Sequence, residues 1–139
     1  MSKTTAQPLK IILDSNALFT PLELKIDIFE ELRRLLNRNV EFVLISPVKA
    51  ELEILANKRA YKLRRQANFA LKLSEKCKIV SVTVSGKLTT DDIIVEVAKK
   101  WNTPVFTNDS QLRKRLRDIS LPVIYVRQKS RIEIDGLIS

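Results

Sequence analysis

The stretch Lys10-Ile11-Ile12-Leu13-Asp14-Ser15-Asn16 decides how this chain is read. Three consecutive apolar residues, two of them β-branched, describe a buried strand. The run ends abruptly on a carboxylate. In an open α/β sheet, ligands gather at the carboxyl ends of the strands, so Asp14 stands at the rim where a site would form. Taken alone, an aspartate after a strand is equally well read as a turn or helix cap. Whether other acids reach the same rim separates the two readings.

Outward from that stretch, residues 1–8 form a loose polar tail and 9–14 the first strand. Thr20-Pro21-Leu22-Glu23 opens a helix, with Thr20 as N-cap, Pro21 in the first helical position and Glu23 completing a capping box. Its apolar stripe is Ile28, Phe29, Leu32, Leu35 and Leu36. Asn37-Arg38-Asn39 ends it, and Val40 to Ile45 is the second strand. Ser46-Pro47 starts a helix over about 47–57. A further helix spans about 59–77, with a stripe of Ala60, Leu63, Ala67, Ala70, Leu71 and Ser74. Lys78 to Val84 contains a third strand. Thr89-Thr90-Asp91-Asp92 caps a helix that runs to about Trp101. A strand at 104–107, a short basic helix at 110–118 and a strand at 121–126 follow. Residues 127–139 are basic and then alternate Ile132 and Ile134, as a tail or a short edge strand. Strands separated by helices predict a three-layer α/β/α domain over 9–126, with a central parallel sheet of about five strands.

Composition narrows the chemistry. A chain of 139 residues with 45% apolar content is one domain with a real core. No apolar run approaches membrane-spanning length, the first ten residues lack an apolar signal core, and the single cysteine has no internal partner. A cytoplasmic protein with no membrane partner is expected. The net charge of +9 points to an anionic partner, nucleic acid first. Histidine is absent, which excludes Ser-His-Asp triads and the common zinc sites.

Helical phase then sorts the 16 acidic residues. In the helix 47–57, Glu51 falls inside the stripe of Val48, Leu52 and Leu55, where a carboxylate is costly without a partner. Glu53 points away, four residues from Lys49. In the helix ending at Trp101, Asp91 lies three before Ile94 and seven before Ala98, on the border of the buried side. Asp92 is rotated about 100° further. Asp109 follows a strand and precedes Leu112 and Leu116 by three and seven. Asp14, Glu51, Asp91 and Asp109 therefore all fall at a strand's carboxyl end or in a helix's first turn, which in a parallel sheet is one rim. Two unit charges about 4 Å apart cost about 4 kcal/mol at an effective dielectric near 20. Protonation or a divalent cation relieves that cost, and oxygen-only donors favour Mg²⁺ or Mn²⁺ over zinc.

At four places the chain resembles PIN-domain ribonucleases: Ile12 to Leu18, Ser46 to Leu52, Asp91 to Ala98, and Val105 to Asp109. The resemblance covers about 9–126 and its motifs occur in the family's order and spacing. It implies an α/β sandwich whose acids hold Mg²⁺ or Mn²⁺ for phosphodiester hydrolysis. By position these acids are Asp14, Glu51, Asp91 and Asp109, as metal ligands and catalytic residues. Asn16 and Thr107 match supporting polar positions, and Asp92 stands beside them. The ending Pro122 to Arg127 and the basic helix before it look most like archaeal stand-alone PIN proteins, similar to the rRNA-processing nucleases. VapC-type toxins share the core more distantly. The implied partner is RNA, such as an rRNA precursor or ribosomal particle, held by Lys58, Lys62, Arg65, Arg113, Lys114, Arg115 and Arg117 through its phosphates. A homodimer is compatible with the sequence. Three rivals stand beside this reading: a VapC-type toxin, a non-catalytic RNA-binding assembly factor, and a haloacid-dehalogenase-type phosphatase. The last requires a second acid two residues after the first, and Asn16 occupies that position.

Overall fold

The computed structural model describes residues 7–83 and 86–138. Most of the tail expected over 1–8, and Val84 at the end of the third expected strand, lie outside them. Six strands form one sheet: β1 (Leu9–Leu13), β2 (Val40–Ile45), β3 (Lys78–Val80), β4 (Val105–Phe106), β5 (Val123–Arg127) and β6 (Arg131–Asp135). Their order is β3-β2-β1-β4-β5-β6. All neighbours are parallel except β5 and β6, which pair antiparallel from Val123↔Asp135 to Arg127↔Arg131. The alternation of Ile132 and Ile134 thus supplies a sixth strand, one more than the roughly five expected.

β1 owes its central place to its sequence. Ile11, Ile12 and Leu13 are fully buried, as a strand covered by helices on both faces must be. Ile12 lies opposite Val43 on one side and Val105 on the other. The strand order reverses between β1 and β4. At such a switch point the loops leaving the two strands part and open a crevice at their carboxyl ends. Asp14 leaves β1 there, and Thr107 leaves β4.

The helices are α1 (Thr20–Leu24), α2 (Ile28–Leu36), α3 (Ser46–Leu55), α4 (Tyr61–Leu73), α5 (Thr90–Trp101) and α6 (Ser110–Asp118). A 3-10 turn, Ser15–Phe19, joins β1 to α1. The single helix expected from Thr20 onward is therefore two. Lys25 adopts a left-handed conformation (φ 56°) that stops α1. Asp27 then restarts the chain by accepting from the backbone N–H of Phe29 (3.0 Å) and Glu30 (3.1 Å). A short side-chain acceptor at that position offers the backbone an alternative to continuing the first helix, and the break turns Ile26 onto the core. Thr20 is not the N-cap but the first residue of α1, and it is buried. The helix expected over 59–77 is α4 followed by a 3-10 turn at Ser74–Lys76. Ala67, Ala70 and Ser74 of its expected stripe are buried, whereas Ala60 is exposed before the first turn. Among the described residues, no helix is long and apolar enough to cross a membrane.

Candidate active site

The register Leu13↔Phe106 sets Asp14 beside Thr107. Asp14 is 5% exposed, and so is almost withdrawn from water. Its Oδ1 accepts from the backbone N–H of Ser15 at 2.8 Å. Its Oδ2 accepts from the Thr107 hydroxyl at 2.8 Å and from Asn16 Nδ2 at 3.2 Å. The Thr107 oxygen in turn accepts from the backbone N–H of Asp109 at 3.1 Å. One hydroxyl thus ties the end of β1 to the start of α6. Asn16 closes the network by accepting from the backbone N–H of Asn108 at 2.9 Å. The resemblance pointed to Asn16 and Thr107 as supporting residues, and in the fold both bond to the Asp14 carboxylate.

Burial pushes the Asp14 carboxyl above its ordinary range. The bonds from Thr107 and Ser15 oppose that rise, and the charges of Glu51 and Asp109 add to it. Asp91, in the first turn of α5, is raised by partial burial, then by Asp14 and Asp109, with Arg115 opposing. The four acids selected by helical phase therefore act on one another through space, Asp14 and Asp109 most widely. Glu51 is half-buried on α3, in the second turn rather than the first turn expected, because the helix already begins at Ser46. Asp109 is more exposed and also caps α6, its Oδ1 accepting from the N–H of Gln111 (2.8 Å) and Leu112 (3.1 Å). The capping role and the place on the rim are compatible, because Oδ2 has no hydrogen bond among the described residues.

The donor set consists of carboxylates alone. Among the described residues, no three acids are already gathered into a group that could hold a metal ion. Two observations nevertheless fit a hard divalent cation. Burial first, and then the charges of the neighbouring acids, raise Asp14 and Asp91, and a cation among them would favour the charged carboxylates. The Asp91 side chain also makes no hydrogen bond among the described residues, so its carboxylate can swing on its torsions.

Asp92 is bound differently from its neighbour. Its Oδ2 accepts from the N–H of Thr89 at 3.1 Å, and its own N–H donates to Thr89 Oγ1 at 3.1 Å. This is a reciprocal capping box. Oδ1 forms an ion pair with Arg115 at 2.9 Å. The bonds with Thr89, and then Arg115, hold its carboxyl below the usual range. Asp92 fixes the start of α5 and links it to α6.

The seven basic candidates divide by helix. On α6, Lys114 pairs with Asp118 (3.0 Å) and Arg115 with Asp92. Arg117 donates to the Leu121 carbonyl (3.2 Å) and meets Asp135. Arg113 lies over the Tyr125 ring, 4.2 Å from its centroid. All four are engaged within the protein. Lys58 precedes α4, and Lys62 and Arg65 lie on it. These three have no ion pair among the described residues and remain exposed.

Sequence reasoning missed Asn108. Its Oδ1 accepts from the N–H of Val126 at 2.8 Å, and its Nδ2 donates to Thr20 at 3.3 Å. With its backbone bond to Asn16, it clamps β5, α1 and the 3-10 turn behind the acids. The available signal was a polar residue between Thr107 and Asp109 at a strand end, where an amide can bridge several backbones.

The fold coincides with that of a known family. Residues 11–129 match the family described as PIN like domain, and the chain belongs to it. It is 36% identical over 132 residues to Ribonuclease VapC4 of Methanocaldococcus jannaschii, covering 93% of this chain and 98% of that protein. It is 30% identical over 126 residues to Ribonuclease VapC9 of Archaeoglobus fulgidus, covering 91% and 89%. Among solved structures it is similar to the PIN domain endonuclease Utp24, with a TM-score of 0.78, 30% identity and 94% of each chain covered.

Proposed function

We propose that this protein is a Mg²⁺- or Mn²⁺-dependent endoribonuclease that hydrolyses RNA phosphodiester bonds. The observation that carries the reading is Asp14: a buried carboxylate, held by Thr107 and Asn16, at the switch point of the sheet and within the field of Glu51 and Asp109. The ribonuclease names of two relatives over nearly the whole chain support the same reaction.

Asp14, Asp91, Asp109 and Glu51 would hold the cation. When bound, it lowers the pKa of a water and stabilises charge on the phosphate. The protein's own groups supply the rest. Thr107 and Ser15 hold the two Asp14 oxygens in one orientation. Asp91, whose side chain has no hydrogen bond among the described residues, is the less constrained acid and would take a proton from the attacking water at Oδ. The exposed bases at Lys58, Lys62 and Arg65 attract the RNA backbone.

The resemblance of the segment from α6 to Arg127 to stand-alone PIN proteins makes ribosomal precursor RNA the first substrate to test. The 36% identity to VapC4 favours a toxin ribonuclease as the second reading. A small antitoxin reading frame beside the gene would decide for it. The direct test uses purified protein and labelled RNA, with Mg²⁺, with Mn²⁺ and with chelator. Cleavage that requires metal and disappears in Asp14→Asn is expected. A folded protein that binds RNA but cleaves none in either metal would be a non-catalytic assembly factor.

A further inference from the structure

Tyr61 opens α4 and is 63% exposed. No other aromatic side chain is so exposed among the described residues. The fold gains little from it there: among the described residues its hydroxyl makes no hydrogen bond, and its one ring contact is the Arg64 guanidinium, 5.7 Å from the centroid. The ring forms one wall of a hollow of about 450 Å³ lined by Leu22, Glu23, Tyr61, Lys62, Arg65 and Gln66. A second hollow of about 490 Å³ shares Glu23 and continues along Thr20 to Asn108. Asn108 is the residue that bonds Asn16 and precedes Asp109. Glu23 thus lines both hollows, and the second is lined on its other side by the residue that precedes Asp109.

We propose that the Tyr61 hollow holds one unpaired base of the RNA, guanine by preference, stacked on the phenol ring with Glu23 at its hydrogen-bonding edge. The inference rests on the ribonuclease reading and adds a substrate subsite to it. An exposed ring beside cations is how proteins grip single-stranded RNA, through stacking and phosphate attraction together. Arg64 lies over one face of the ring, and the base takes the other. Lys62 and Arg65, without acidic partners among the described residues, face the flanking phosphates. A carboxylate can only accept hydrogen bonds. Among the four bases, guanine alone presents two adjacent donors, N1–H and the 2-amino group, on its Watson–Crick edge. Glu23 therefore selects it. A helical protein partner would need several apolar anchors at helical spacing, and Leu22 is the one aliphatic residue lining the hollow.

The test uses the full chain and fluorescein-labelled single-stranded RNAs of defined, guanine-containing sequence. In these, each guanine in turn is replaced by inosine, which lacks the 2-amino group. Tyr61→Ala should raise KM, and Kd measured in chelator, about 10-fold, the scale of one stacked base. kcat at saturating RNA should stay near wild type, and Tyr61→Phe should behave as wild type. One inosine position should weaken binding to the wild-type protein, and Glu23→Gln should erase that difference. Wild-type cleavage with Tyr61→Ala unchanged in KM and Kd would overturn the subsite and leave the ribonuclease reading standing. Absence of cleavage by the wild type would remove the ribonuclease reading, while the chelator binding series still decides the subsite. Loss of self-association, rather than of RNA affinity, in Tyr61→Ala would make the hollow a protein interface and overturn the proposal.

Discussion

The Thr107 hydroxyl donates to Oδ2 of Asp14 at 2.8 Å in a fully buried contact, and the same oxygen accepts from the N–H of Asp109. Thr107→Val keeps the shape, leaves the Asp109 N–H without its acceptor and removes the shorter of the two bonds to Asp14 Oδ2. Two effects are expected. Stability should fall by about 1–3 kcal/mol, the cost of an unsatisfied buried group. RNA cleavage should fall about 10–100-fold, as when an outer partner of a metal ligand is removed. Thr107→Ser should restore both. Denaturant melts and single-turnover cleavage measure them, and wild-type activity in the valine variant would detach Thr107 from the site.

Asp91 and Asp92 are adjacent and should behave oppositely. Asp91→Asn is expected to nearly abolish cleavage, and Asp92→Asn to keep most of it. In chelator the first variant should also be more stable than wild type. The folded-state pKa of Asp91 lies above its ordinary 3.8, so the fold favours the protonated acid. Its contribution to stability is complete below 3.8 and is lost as pH rises through the raised value. The Tm advantage of Asp91→Asn should therefore be absent at the lowest pH and appear as pH increases across that window. Asp92, whose pKa is lowered, contributes in the other direction: its stabilisation is present above 3.8 and is lost as pH falls. An advantage for Asp91→Asn that does not vary with pH would contradict the placement of Asp91 among the acids.

RNA contacts should map to α4 and its approach. Replacing Lys58, Lys62 and Arg65 together by glutamine should reduce the slope of log K against log salt by about 2, near 0.7 for each lost phosphate contact on a single strand. Lys114→Gln should leave the slope unchanged, since Lys114 is paired with Asp118. Anisotropy titrations between low and moderate salt read both, and the reverse pattern would move the RNA to α6.

Divalent cations should raise the Tm by mass action. At a concentration about 100 times Kd the gain is about 2.7 kcal/mol. Asp14→Asn should lose most of this gain. Equal shifts in wild type and variant would place the binding elsewhere on the protein.

Much of this arrangement was legible because it follows from period and chain order. The phase of Glu51 against Val48 and Leu55, and of Asp91 against Ile94 and Ala98, depends only on helical pitch, and strand-helix alternation brings those turns to one rim. What escaped depends on partners from elsewhere in the chain. The α6 bases point outward by phase, but phase carries no information about Asp92, Tyr125 or Asp135, which engage them in the fold. The stop at Lys25 was silent because a lysine in the left-handed region carries no glycine signal. The restart was written in Asp27, which the long apolar stripe obscured.

The central position of β1 has a consequence in time. The N–H of Ile12 donates to Pro104, that of Asp14 to Phe106 and that of Thr107 to Ile124. These bonds lie in the middle of six strands, so their amides should exchange with deuterium only when the whole domain opens. The first turn of α4, exposed and without a side-chain cap, should exchange by fraying on a far shorter timescale. The start of α4, where the proposed RNA contacts lie, would then open and reform many times while the sheet that carries Asp14 stays closed.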